Sequence, residues 1–151
     1  MIIEFIIPGF TKGKERPRFV RRGNFVSTYT PQATHNYQNI VKNCYLEASG
    51  GKLLDGAVKA EIYTIYEPPK SISKKKREKM LSGEIPYIKK PDNDNIAKSI
   101  LDGLNGVAFK DDSTVNDLRV QKTYGENAMC LVRLSDNKNV MKPIFFIDKE
   151  E

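Results

Sequence analysis

Residues 90–105 read KPDNDNIAKSILDGLN, and the helix they encode sets the frame for everything around them. Ile96, Ala97, Ile100, Leu101 and Leu104 recur at three- and four-residue intervals, the spacing that lines one face of an α-helix. Pro91 disfavours helix at the residue before it, and Asp92 or Asn93 can start one, so the pattern predicts a helix from there to about Asn105. Gly106 ends it. A helix with a single apolar stripe must bury that stripe against another layer.

On the carboxyl side, a loop holding Asp111-Asp112 leads into two predicted strands, Val115 to Tyr124 and Ala128 to Leu134, joined through Gly125-Glu126-Asn127. On the amino side, Ser71 or Ser73 can cap a short, very basic helix from Lys74 to Leu81, stopped by Ser82-Gly83. Val58 to Tyr66 alternates apolar and polar and is rich in Ile and Tyr, so it reads as a long strand ended by Pro68-Pro69. Gln32 to Ser49 reads as a scaffold helix carrying Tyr37, Ile40, Val41, Cys44, Tyr45 and Ala48 on one stripe. Thr30 is its expected N-cap, Pro31 its first residue and Gly50-Gly51 its stop. Lys12 to Gly23 reads as a basic loop, followed by a strand from Phe25 to Thr28 in a hairpin around Gly23-Asn24. Ile2 to Pro8 opens the chain as a strand. The expected fold is α+β: residues 1–151 as a single domain, with about three helices on a mixed, mostly antiparallel sheet. Residues 136–151 form a polar tail, interrupted by the apolar patch Ile144-Phe145-Phe146-Ile147.

Composition removes several classes. At 39% hydrophobic and 29% charged, the 151 residues are too apolar for a disordered chain and too mixed for collagen or a coiled coil. Two cysteines, Cys44 and Cys130, with no C-x-x-C and no neighbouring His, argue against a disulfide framework or zinc finger. The first apolar run, Ile2 to Ile7, is broken by Glu4 and is too short for a signal sequence, and no stretch could span a bilayer. A cytoplasmic protein with no membrane contact is expected.

The net charge of +6 conceals a sharp division. Lys12 to Arg22 holds six basic residues and one acid, and Lys70 to Lys90 holds eight and two, while Asp92 to Asp117 sets six Asp against two Lys. Basic runs by themselves are as readily solvated faces as phosphate-binding surfaces. Acids beside such a surface would weaken it unless they hold a divalent cation, and that arrangement suits phosphodiester chemistry.

Asp92 and Asp94 stand two apart at a loop-to-helix junction, where two carboxylates can converge on one ion. Lys98 follows Asp94 at i, i+4 on the same helical face. If Asp111 or Asp112 folds back to the helix start, three carboxylates and a lysine share a pocket suited to Mg²⁺ or Mn²⁺. A purely structural account is equally available at this point: Asp92 as a cap, Asp94-Lys98-Asp102 as a charge ladder, Asp111-Asp112 as a turn. A calcium EF-hand is excluded. Counted from Asp92, its glycine and glutamate positions hold Ala97 and Gly103. His35 lacks a companion carboxylate and nucleophile, so it is a poor catalytic rival.

Pro91 to Asp112, with Asp92-Asn93-Asp94-Asn95, Lys98, Leu101-Asp102-Gly103-Leu104 and Asp111-Asp112, resembles the RusA family of Holliday junction resolvases. Pro8-Gly9, Gly13-Lys14, Arg16-Pro17-Arg18 and Tyr29-Thr30-Pro31 are similar to features of its Gram-positive and phage branch. The resemblance implies a small, dimeric, Mg²⁺-dependent endodeoxyribonuclease acting in DNA recombination and repair. Three aspartates and a lysine carry over by position: Asp92, Asp94 and Asp112 as catalytic metal ligands, and Lys98 as a catalytic cation. The choice between Asp111 and Asp112 stays open, because the family's connection to the Asp pair varies in length. The partners implied are four-way junction DNA and a second copy of the chain, with the strands around Val58–Tyr66 or Val115–Leu134 as candidate dimer contacts. Arg16, Arg18, Lys74, Lys75, Lys76, Lys89 and Lys90 are the expected phosphate contacts. Tyr87-Ile88 can either insert at the branch point or pack in the core. Two other classes remain open: a nucleic-acid-binding module without catalysis, and a metal nuclease acting on other branched DNA or on RNA.

Overall fold

In the computed structural model, which describes residues 1–138, two layers enclose the core. The apolar patch at Ile144 to Ile147 lies outside the described residues. The strands are β1 (Ile2–Pro8), β2 (Arg18–Arg22), β3 (Phe25–Tyr29), β4 (Val58–Tyr66), β5 (Val115–Tyr124) and β6 (Met129–Asp136). The helices are α1 (Gln32–Ser49), α2 (Lys74–Leu81) and α3 (Asn93–Leu104), with one 3₁₀ turn at Asp112–Thr114. The α+β class and the mixed, mostly antiparallel sheet are as expected.

The main sheet runs β1-β6-β4-β5. Strands β1 and β6 pair antiparallel, as do β6 and β4, whereas β4 and β5 are parallel. Parallel neighbours require a crossover, and here the crossover contains α3. That connection lays α3 over the sheet next to α1. Inward-facing Ile3, Phe5, Ile7, Ala60, Ile62, Val132 and Leu134 meet Val41, Tyr45, Ile96, Ile100 and Leu104 in one apolar core. Gly103 is why the helices come so close: a Cβ there would lie 2.9 Å from Val41 Cβ and 3.0 Å from the Gln38 carbonyl oxygen.

Several sequence expectations are corrected. The turn at Gly125 to Asn127 joins two strands as expected, but they are not neighbours: β6 lies between β1 and β4, which leaves β4 between the two strands the turn joins. That turn crosses the end of β4, with Gly125 N–H donating to the Tyr66 carbonyl at 3.0 Å and no room for a Cβ against Ile65. The basic loop holds a strand, β2, whose alternation its arginines hide; the hairpin around Gly23-Asn24 is present. Thr30 does not cap α1. Pro31 takes the cap position with extended ψ, and its carbonyl accepts from Thr34 and His35 N–H. Ile40, expected in the core, is 44% exposed, and Thr34 and Ser49 share the buried face instead. For α2, Ser73 is the cap, its hydroxyl accepting from Lys76 N–H.

The sheet face away from the helices carries Glu4, Ile6, Tyr63, Leu131 and Arg133 around a concavity of about 610 Å³. Arg133 pairs there with Glu4 at 2.7 Å and Glu61 at 3.6 Å.

Candidate active site

The start of α3 is held from three directions. From below, Lys122 on β5 donates to the carbonyls of Lys89 and Pro91 at 2.8 and 2.9 Å, and its ammonium lies 5.5 Å from the Tyr87 ring centre. From the side, Tyr87 stacks on Tyr66 at 4.4 Å, meets Tyr124 edge-on at 5.0 Å and donates its hydroxyl to the Lys90 carbonyl at 2.7 Å. Tyr87 is therefore packed, whereas Ile88 is exposed. The third support is the basic loop. Lys14 N–H donates to the Asn95 carbonyl at 3.0 Å, and Gly13 sits where a Cβ would be 2.8 Å from Pro91 Cβ. The Lys90–Pro91 peptide within this junction is cis.

On this scaffold the acidic residues divide into two sets. Asp102, one helical turn beyond Lys98, accepts from Lys14 Nζ at 2.7 Å and pairs with Lys98 at 3.0 Å. Asp112 also pairs with Lys98 at 3.0 Å. Hydrogen bonds to Asp112 and then to Asp102 hold the Lys98 ammonium above the ordinary lysine range. Asp111 turns away into its own loop, where its carboxylate accepts from Ser113 N–H at 3.1 Å; hydrogen bonding to Ser113, through its side chain and then its backbone, lowers the Asp111 pKa. Of the Asp111-Asp112 pair, Asp112 is the member facing α3.

Asp92 and Asp94 form the second set. Asp92 occupies the N-cap position of α3, yet its side chain makes no capping bond, and Asp94 lies in the first turn. Both are exposed, and neither carboxylate has an ion pair or hydrogen bond among the described residues. The expected ladder from Asp94 through Lys98 to Asp102 forms only in its second half, because Lys98 leans toward Asp102 and Asp112.

Among the described residues no three carboxylates are gathered closely enough to enclose an ion. Asp112 is joined to the helix through Lys98, one turn beyond Asp94. The donors nevertheless fit a hard cation of the Mg²⁺ type, which keeps waters and accepts one or two protein carboxylates plus phosphate oxygens. Asp92 and Asp94 offer oxygen donors with no partner among the described residues.

The other expected contacts are distributed unevenly. Lys89 and Lys90 precede Asp92 directly, with exposed side chains. Arg16 is exposed in the basic loop, and Arg18, at the root of β2, approaches Glu15 at 3.6 Å. Lys74, Lys75 and Lys76 line the exposed first turn of α2, a helix that makes at most isolated contacts with the other elements. A groove of about 510 Å³ runs between the basic loop and the α3 start, lined by Lys12, Lys14, Lys90, Asp92 and Asn95. Sequence reasoning missed Lys14, Asp102 and Lys122 as site residues. For Lys14 the signals were the Gly13-Lys14 pair within the family resemblance and its place in a loop that carries five other basic residues.

A fold that presents acids at a helix start above a mixed sheet, flanked by lysines, defines the class: residues 8–135 match the family model described as Endodeoxyribonuclease RusA, and the chain belongs to that family. It is accordingly an endodeoxyribonuclease, a hydrolase acting on DNA. It is also similar to the uncharacterized protein YqaN of Bacillus subtilis (strain 168), 35% identical over 127 residues, which covers 82% of this chain and 89% of YqaN. No helix among the described residues is long and apolar enough to cross a membrane.

Proposed function

We propose that this chain is a Mg²⁺-dependent, structure-selective endonuclease that resolves four-way DNA junctions by paired, symmetric nicks in recombination and repair. The observation that supports the reading is that Asp92 and Asp94 have no ion pair or hydrogen bond among the described residues, in a site where Asp102, Asp111 and Asp112 all have partners.

Asp92 and Asp94 would hold Mg²⁺, with Mn²⁺ a chemically similar substitute, and Asp112 would join them as a third ligand on moving from its present pairing with Lys98 toward the helix start. Bound there, the ion supplies polarisation of the scissile phosphate and an acidified water. Lys98 sets its ammonium beside Asp112, where it offsets negative charge growing on the phosphate oxygens. Asp102 keeps that ammonium oriented, and Lys14 shares the Asp102 carboxylate so that its charge is not left over. Lys89, Lys90, Arg16 and Arg18 hold flanking phosphates, and Lys74, Lys75 and Lys76 track a more distant arm. These contacts give affinity without reading base sequence.

The substrate has near two-fold symmetry, so a C2 homodimer with one acidic site per subunit makes paired nicks most simply. Of the strands expected at the contact, β4 has both edges paired, which leaves its outer face. Around Tyr63 that face is continued by Ile2, Glu4 and Ile6 of β1 and by Leu131 and Arg133 of β6, apolar groups with charges of both signs that can oppose a copy of themselves. Ile6→Glu is expected to give monomers in sedimentation equilibrium and to uncouple the two nicks.

The central test uses a labelled mobile junction with Mg²⁺ or EDTA. Symmetric nicks near the crossover in Mg²⁺ alone are expected. Asp92→Asn and Asp94→Asn should each abolish cutting yet keep or tighten junction binding, since each removes a negative charge beside the phosphates. Cutting that survives either substitution sinks the assignment, and binding without any cutting by the wild type favours a non-catalytic module.

A further inference from the structure

Apart from Arg18 at its root, the ribbon formed by β2 and β3 takes no part in the mechanism above, and its composition is unusual. Among the described residues it pairs only with itself, Arg18 opposite Tyr29 through Arg22 opposite Phe25, and joins no other strand. Phe19 is 77% exposed, Phe25 79% and Val26 66%. Opposed residues share a face, so Phe25 lies with Arg18, Arg22 and Tyr29 on one side, and Phe19 with Arg21 and Val26 on the other. Phe25 flanks the Gly23-Asn24 turn and stands at the tip. From Arg18 to Tyr29 there are three arginines and no acid.

Two-stranded ribbons are marginal on their own, and large apolar groups exposed on both faces mark a surface that a partner covers. The charge says which partner. A protein surface would cover the phenylalanines but would also need carboxylates for every arginine, whereas nucleic acid offers phosphates together with flat base faces on which aromatic rings stack. Intact duplex presents phosphates and base edges along its length but keeps its base faces stacked; base faces are open where stacking is interrupted, at ends and at branch points. Position agrees with this. Arg18 is four residues from Lys14, which is bonded to Asn95 and Asp102 of α3, so the ribbon's root is at most about 14 Å along the chain from the active-site helix. The ribbon adds about 16 Å of reach.

We infer that the β2–β3 ribbon is a branch-sensing element that stacks Phe25 and Phe19 on base faces opened at the crossover, while Arg18, Arg21 and Arg22 grip the phosphates on either side. This inference rests on the junction-nuclease reading and deepens it: the ribbon, rather than the acidic site, distinguishes branched from linear DNA.

The test uses the full-length protein in EDTA, with a four-way junction carrying 2-aminopurine at the crossover and a linear duplex of matching sequence. Phe19→Ala with Phe25→Ala should weaken junction binding by about tenfold or more and abolish the 2-aminopurine quenching. Duplex binding should stay within about twofold. Phe25→Leu, which keeps the bulk and loses the flat ring, should also lose the quenching while melting like the wild type, since the side chain lies outside the core. Arg21→Gln with Arg22→Gln should weaken both DNAs and flatten the salt dependence of binding. Unchanged junction affinity and quenching in the phenylalanine variants overturns the inference, and so does their conversion from dimer to monomer, which would make the ribbon a protein interface. Cleavage separates the two failures. A wild type that cuts no junction in Mg²⁺ overturns the nuclease reading itself, whereas a wild type that cuts while the phenylalanine variants still discriminate branched from linear DNA as it does overturns the ribbon alone.

Discussion

Asp111 and Asp112 are adjacent and chemically identical, yet their backbone settings give them different work. Asp111, with extended φ and ψ, accepts from Ser113 N–H and closes the turn, while Asp112 points to Lys98. Asp112→Asn is therefore expected to lose cleavage, and Asp111→Asn to keep it with a lower melting temperature, read from the same two assays on both proteins. The sequence could not separate them. A doublet of Asp in a loop fits either order, and only the direction of the following strand decides which side chain faces α3. Lys14 and Lys122 escaped for a related reason. Their partners lie 88 and about thirty residues away along the chain, far outside any local pattern.

At the level of elements, two glycines set how closely the pieces of the site approach. Gly103→Ala would gain helix propensity of about 1 kcal/mol, but the added methyl meets Val41 and a backbone oxygen. Overpacking of this kind costs about 1–3 kcal/mol, so a net loss in denaturant-measured stability is expected. Gly13→Ala tests function instead. Its methyl would meet Pro91 and Asn95, so the basic loop should shift from the α3 start and cleavage should fall more than stability does. The helices and long strands were legible to within a residue or two, because burial on one face writes a period into the sequence. Ile96, Ile100 and Leu104 specify α3 in that way, and Ile62 and Tyr66 specify β4. Pairing was not legible. Nothing local to Ala128 to Leu134 tells that strand to enter between β1 and β4 instead of folding back on β5.

The molecule as a whole carries buried acids of a different kind, which titrate only in alkali. Burial pushes the Cys130 thiol from its ordinary 9.0 up to about 12, and burial likewise raises the Tyr37 and Tyr66 hydroxyls above their ordinary 10.0. A group that titrates higher in the folded than in the unfolded state stabilises the fold below its unfolded value, and that contribution drains away as pH climbs through the folded value. Stability against urea should accordingly hold up to the ordinary thiol value of 9.0 and fall steadily beyond it, with a shallower fall in Cys130→Ala. A profile unchanged to pH 12 would contradict the burial of these groups.

Lys122 contributes to the +6 net charge, but its ammonium is occupied by two carbonyls and a ring face inside the protein. Lys14 and Lys98 are similarly engaged with carboxylates. A cation already paired with a carboxylate displaces few counterions when a polyanion arrives, and one turned inward onto carbonyls, though still charged, does not present itself to a phosphate. The linkage between affinity and ionic strength should therefore report far fewer contacts than the cationic side chains clustered around the cleft would suggest.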